Sequence, residues 1–146
     1  MKGRLAASVI VIATACLGAG IGRNAGAAAQ EERLVLRALR QVAAGMELYE
    51  MDNGEPATTT AALVESGGLA GWDSEGETAV DENGLRYTLL RSRERWFVVV
   101  RSGAGIVYLL DENGEWACLR AARPPSLFAD AERMFSSARR RGRFEE

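Results

Sequence analysis

The stretch WFVVVRSGAGIVYLLDENGEWACL, residues 96–119, decides the fold. Its apolar runs, Trp96 to Arg101 and Ile106 to Leu110, are rich in β-branched and aromatic residues and short enough to be strands. Between and after them stand Ser102 to Gly105 and Asp111 to Gly114, groups of turn-forming residues that suit hairpins and are too short for parallel crossovers. Working outward, Leu85 to Leu90 and Glu115 to Leu119 complete four strands within 85–119, an antiparallel meander. The central strands are apolar on both faces, so the sheet needs a cover on each side.

Two segments can supply those covers. In 30–51, Val35, Leu39, Val42, Met46 and Tyr49 recur at helical spacing, while Glu31, Glu32, Arg33, Arg37, Arg40, Glu47 and Glu50 mostly take other faces. Glu31 and Glu32 are expected in the first turns of this amphipathic helix, and Asn53-Gly54 at its end. The second cover is a C-terminal helix over 126–140: Pro124-Pro125 breaks the chain, Ser126 can cap, and Leu127, Phe128, Ala131, Met134, Phe135 and Ala138 share a side. A short helix is expected over 60–66, capped by Thr59 or Thr60 and stopped by Gly67-Gly68. Residues 70–83, acidic with Trp72 their one large apolar group, read as a surface excursion. Arg139-Arg140-Arg141 with Arg143 reads as the solvated end of the last helix, against the alternative of contact with acidic lipid or a partner.

Ahead of this domain, 30–146, lies a leader, 1–29. Lys2 and Arg4 precede Leu5 to Ile21, a run without a charge, closed by Arg23. As a helix it would extend roughly 25 Å, near the lower limit for a membrane span, and the basic start places the rest of the chain outside the cytoplasm. Retention as an anchor is the expected fate, because the run passes into the helical pattern without a polar linker. Removal after the Ala-x-Ala sequences at 25–29, and trimming before Cys16, are the alternatives. Of the two cysteines, Cys16 lies in this leader, so an exported domain would carry Cys118 alone, expected as a buried thiol in a strand.

With 146 residues and a formal net charge of −2, the chain is one domain plus a leader and lacks the basic excess that nucleic acid requires. Histidine is absent, which removes Ser/His/Asp and Cys/His relays and histidine-ligated zinc. Asp111-Glu112 and Asp81-Glu82 are the paired carboxylates open to acid/base work, but both stand in Asp-Glu-Asn-Gly groups that turn chemistry explains. The expectation is a protein without a catalytic site.

Tyr49-Glu50-Met51-Asp52-Asn53-Gly54, followed by Pro56, Thr58, Thr59 and Leu63, resembles the Y-x-x-D-N-G-x-Y-P-T-T-x-x-x-L passage of type II secretion major pseudopilins, within the type IV pilin-like proteins. Asp81-Glu82-Asn83-Gly84-Leu85-Arg86-Tyr87 is similar to that family's turn into the sheet, and Ser102-Gly103-Ala104-Gly105 to its S-x-G-A-D-G loop. The family-motif residues are thus Tyr49, Asp52, Asn53, Gly54, Pro56, Thr58, Thr59, Asp81, Gly84, Tyr87, Ser102 and Gly103. The chain departs from the family where Gly3 is followed by Arg4, where Ser8 takes the place of a glutamate, and where Gly105 takes that of an acidic residue.

The resemblance implies a pilin-like α+β fold: a long N-terminal helix, half membrane segment and half amphipathic, on a four-stranded antiparallel sheet with a C-terminal helix. It implies a non-enzymatic protein of the bacterial inner membrane with its domain in the periplasm. Its partners would be other pilin-like subunits or secretion-system proteins, with Val9, Ile10, Val11 and Ile12 in helix contacts. The alternative is a secreted or tethered periplasmic binding module that does not polymerise. No cofactor is expected except calcium, which the family binds near this place; the candidate ligands are Asp73, Glu75, Glu77, Asp81 and Glu82, against the reading of a solvated acidic loop.

Overall fold

A computed structural model describes residues 22–144. The described residues begin with a long helix, α1 (Gly22–Asn53), then a short one, α2 (Thr60–Glu65). Six strands follow: β1 (Asp73–Glu75), β2 (Thr78–Val80), β3 (Arg86–Ser92), β4 (Arg95–Arg101), β5 (Ile106–Asp111) and β6 (Glu115–Arg120). A helix, α3 (Phe128–Ser137), and a last strand, β7 (Arg140–Arg143), complete the domain. All seven strands form one antiparallel sheet in sequence order.

The central strands are covered on both faces, as their composition requires. Val35, Leu39, Val42 and Met46 of α1 are buried in one core with Trp96, Val98, Val100, Ile106, Tyr108 and Leu110. The alternate residues, Phe97, Val99, Val107 and Leu109, form a second core with Ala131, on which Phe128, Met134 and Phe135 of α3 pack. Successive strand residues point to opposite faces, so a run such as FVVV serves both cores at once.

The sheet has seven strands, not four. β1 and β2 lie in the segment read as a surface excursion, and every residue of β1 is exposed, so no apolar alternation marks it. Gly76, at φ +61°, turns the chain between them, and β2 buries Ala79 and Val80. β7 lies in the arginine run read as a helix end. Its backbone pairs with β6, and Gly142 lies against Trp116 so closely that a Cβ there would stand 2.7 Å from the ring.

The helices also differ from expectation. The C-terminal helix is the ten-residue α3 rather than 126–140, and its N-cap is Leu127, with no side-chain cap hydrogen bond, rather than Ser126. α1 extends through Gly22, so Glu31 and Glu32 lie well inside the helix, where they tie it to the sheet. Glu31 accepts from the Gly103 and Ala104 amides at 3.0 and 3.3 Å, and Glu32 is ion-paired with Arg140, whose guanidinium also lies 5.7 Å from the Trp116 ring centroid. Cys118 is buried and disulfide-bonded rather than the expected thiol.

Candidate functional site

The family-motif residues divide into a helix-end junction and two turns, and the Asp111–Gly114 turn is built like those two. At the end of α1, Asn53 Nδ2 donates to the Tyr49 carbonyl at 2.9 Å, and the Gly54 amide donates to the Glu50 carbonyl at 2.8 Å with Gly54 at φ +80°. That is a left-handed helix stop. Asp52 and Thr58 are exposed, Pro56 is half-buried, and Thr59 caps α2 by accepting from the Ala62 amide at 3.1 Å. The Gly67 and Gly68 amides return to the Val64 and Leu63 carbonyls and close α2.

The three turns share one design. Asp81 Oδ1 accepts from the Asn83 and Leu85 amides at 2.8 and 3.0 Å. Asp111 Oδ1 accepts from the Asn113 and Glu115 amides, both at 2.9 Å. In the third turn the hydroxyl of Ser102 accepts from the Ile106 amide at 3.3 Å. Each ends on a glycine at positive φ: Gly84, Gly114 and Gly105. The paired carboxylates are therefore used in shaping turns. Tyr87, fully buried, donates to Asp81 Oδ2 at 2.9 Å and packs on Trp72 at 4.8 Å; burial beside the Asp81 carboxylate raises its phenol pKa.

The calcium candidates are not assembled into a centre. Asp73 is exposed on β1, Glu75 is ion-paired with Arg86 at 2.5 Å, Glu77 is exposed, Asp81 is engaged in its turn and with Tyr87, and Glu82 lies beside Gly71. Among the described residues no three His, Cys, Asp or Glu side chains are grouped to hold a metal.

The concave feature lies elsewhere. A cleft of about 660 Å³ opens between the C-terminal half of α1 and the end of the sheet that carries the β3–β4 and β5–β6 turns. Glu47, Glu50, Glu94, Asp111 and Glu112 line it, with Arg40 the one cation of the lining, and Met46, Trp96 and Phe144 among its apolar walls. Arg40 lies over the Phe144 ring at 5.7 Å. Glu112 Oε1 accepts from the Trp96 amide at 3.1 Å. Asp111 is only 5% exposed, and burial raises its carboxyl pKa against the opposing pull of its backbone hydrogen bonds. Among the described residues no hydrogen bond reaches its second oxygen, Oδ2. The negative charge that the cleft holds suits a cationic group.

Sequence reasoning identifies Asp111-Glu112 as a turn but misses the cleft, because nothing in the spacing says that Glu50, Glu94 and Asp111 meet. The expected membrane segment and Val9 to Ile12 lie outside the described residues, among which no helix is long and apolar enough to cross a membrane. The chain matches no protein-family model, no curated protein and no solved structure.

Proposed function

We propose that this chain is a non-enzymatic, membrane-anchored envelope protein that works as pseudopilins do, through subunit contacts in a type II secretion or type IV pilus-like assembly. The observation that carries the reading is α1. Its described part, Gly22–Asn53, is one unbroken helix of 32 residues, and in the sequence it follows the apolar run of the leader. At 1.5 Å per residue it is a rod of roughly 48 Å, and its core-facing side carries the whole sheet. On this reading the leader continues α1 as helix, and the domain's direction is then fixed relative to whatever holds the leader. The helix stop at Asn53-Gly54 and the cap at Thr59 give the resemblance in this region a physical role, since the first ends α1 and the second caps the start of α2. On this reading the domain lies in the periplasm, the leader in the inner membrane, and the work is protein secretion by contact.

Membrane fractionation with N-terminal sequencing of the native protein tests the proposal. The expected result is a membrane-bound chain that starts at Met1 or just after Gly3. A soluble periplasmic chain lacking residues 1–29 would overturn it. The second reading, a secreted or tethered periplasmic binding module that does not polymerise, draws support from the acidic cleft; fractionation separates its secreted form from the first reading, and sedimentation of the membrane-bound chain, monomeric or assembled, separates its tethered form.

A further inference from the structure

Charge differs between the two ends of the sheet, and α1 runs from one end to the other. Glu31 accepts from the Gly103 and Ala104 amides of the β4–β5 turn, whereas Glu47 and Glu50, further along the helix, line the cleft with Glu94 and Asp111. The cleft end is therefore acidic and lies away from the leader. The β4–β5 turn stands at the end from which α1 arrives. Gly22 precedes Glu31 by nine residues, roughly 14 Å along the helix axis.

At that end two guanidinium groups converge. Arg101 is the last residue of β4 and Arg120 the last of β6, and both are exposed. Arg101 Nε donates to the Ala121 carbonyl at 3.0 Å and Arg120 Nη1 to the Ala104 carbonyl at 3.3 Å, so a backbone acceptor holds each side chain over the turn. A Cβ placed on Gly105 would lie 3.2 Å from Arg101 Nη2 and 3.5 Å from Arg120 Nη1, which brings the two nitrogens within about 7 Å of each other. Among the described residues neither guanidinium is ion-paired with a carboxylate. The carboxylates at this end are placed otherwise. Glu31 is taken up by the two amides and Glu32 by Arg140, while Asp73, Asp81 and Glu82 lie in and beside the β2–β3 turn, on the side of β4 away from β6. Two like charges held this close repel, and an anion between them relieves the repulsion.

We infer that Arg101 and Arg120 together hold the phosphate of an anionic phospholipid headgroup, so that the β4–β5 turn rests on the bilayer that holds the leader. This rests on the reading of the leader as a membrane anchor and names the surface that the domain meets. One donor of each fork is spent on a backbone carbonyl, and the remaining N–H groups suit the oxygens of a phosphate. The lipid is the source of that phosphate because α1 leads from this turn toward the leader. Of the roughly 14 Å between Glu31 and Gly22, the headgroup layer fills about 6 Å, and the long arginine side chains reach into the remainder. Contact on one flank of α1 fixes the rotation of the domain about the helix axis and keeps the cleft end away from the membrane.

Residue-by-residue labelling tests the contact. The full-length chain is placed in nanodiscs of phosphatidylcholine, with or without phosphatidylglycerol, treated with phenylglyoxal and read by mass spectrometry. Labelling of Arg101 and Arg120 is expected to slow by at least about fivefold when phosphatidylglycerol is present and to recover in high salt. Arg93, exposed in the β3–β4 turn at the other end of β4, is expected to keep its rate. Arg120→Gln is expected to return Arg101 most of the way to its rate in phosphatidylcholine, because the pair shares one headgroup. Urea unfolding checks this variant, and where it fails the check the wild-type comparison of the two discs decides.

Equal rates in the two discs overturn the lipid contact and leave the anchored reading standing, as does slowing of Arg93 to the same degree. Protection of Arg101 that survives the loss of Arg120 overturns the shared site. Inorganic phosphate that protects both arginines in phosphatidylcholine discs as well as phosphatidylglycerol does overturns the lipid as the source. A chain that does not enter the discs overturns the contact and the anchored reading together.

Discussion

Thr60 joins three elements through one hydroxyl. It is fully buried, accepts from the Ala79 amide at 2.9 Å and lies within hydrogen-bond reach of the Tyr87 and Glu77 carbonyls, so α2, β2 and β3 meet at its oxygen. Thr60→Val keeps the shape and strands those groups, at an expected cost of about 2–3 kcal/mol in urea unfolding, whereas Thr60→Ser restores most of it. Gly142 is constrained by contact instead. A methyl at this position meets the Trp116 ring, and Gly142→Ala is expected to lower stability by about 1–3 kcal/mol, read from the thermal midpoint. At Asp111 the folded protein raises the carboxyl pKa, so between the unfolded and folded values the native state binds more protons than the unfolded chain. Its ionised form therefore costs stability above the folded pKa, and the cost is relieved as pH falls through that value toward the unfolded one, near 3.8. Asp111→Asn keeps an acceptor for the turn amides and removes the charge. Its stability relative to wild type is expected to be greatest near neutral pH and to shrink toward acid, measured by urea unfolding across that range.

At the scale of elements, legibility followed apolar content. The face of α1 formed by Val35, Leu39, Val42 and Met46, the strands β3 to β6, and the need for two covers were all readable, because burial of large side chains imposes a period on the sequence. β1 and β7 were not, since Asp73-Ser74-Glu75 and Arg140-Arg141-Gly142-Arg143 bury almost nothing apolar and are strands only through backbone pairing with a neighbour. Capping was legible at Thr59 and not at Leu127, where the end of α3 is fixed by packing of Phe128 and Phe135 on Phe97, at 5.2 and 5.3 Å, rather than by a side-chain cap. That packing makes α3, although only ten residues long, the cover of an entire face. Phe135→Ala is expected to cost about 3–5 kcal/mol in urea unfolding. Phe128→Ser with Phe135→Ser exposes Phe97, Val99, Val107 and Leu109, and the protein is expected to bind a hydrophobic dye before its main unfolding transition.

At the scale of the molecule, the cleft and the rod are products of assembly and leave no local signature. The cleft draws its carboxylates from a helix, a hairpin and a turn that are distant in sequence, and only the sheet order brings them together. Among the described residues Val35 is the first large side chain of α1 in the core, and Glu31 and Glu32 are its first ties to the loops and to β7. Upstream of these ties α1 contributes little to the domain core, and on the proposed subunit reading this stretch carries direction. Gln30 is exposed, so Gln30→Pro removes no core contact, but it eliminates one helical hydrogen bond and crowds the carbonyl four residues earlier, costing about 3 kcal/mol locally. The strain is confined to the lead-in, where the helix can bend or fray without opening the sheet. The urea midpoint of the domain is therefore expected to remain at the wild-type value and the chain to remain with the membrane, while assembly measured by sedimentation is lost because the domain no longer holds a fixed angle to its leader. Unchanged assembly in this variant would show that direction is set by contacts within the domains alone, and that α1 acts only as a tether.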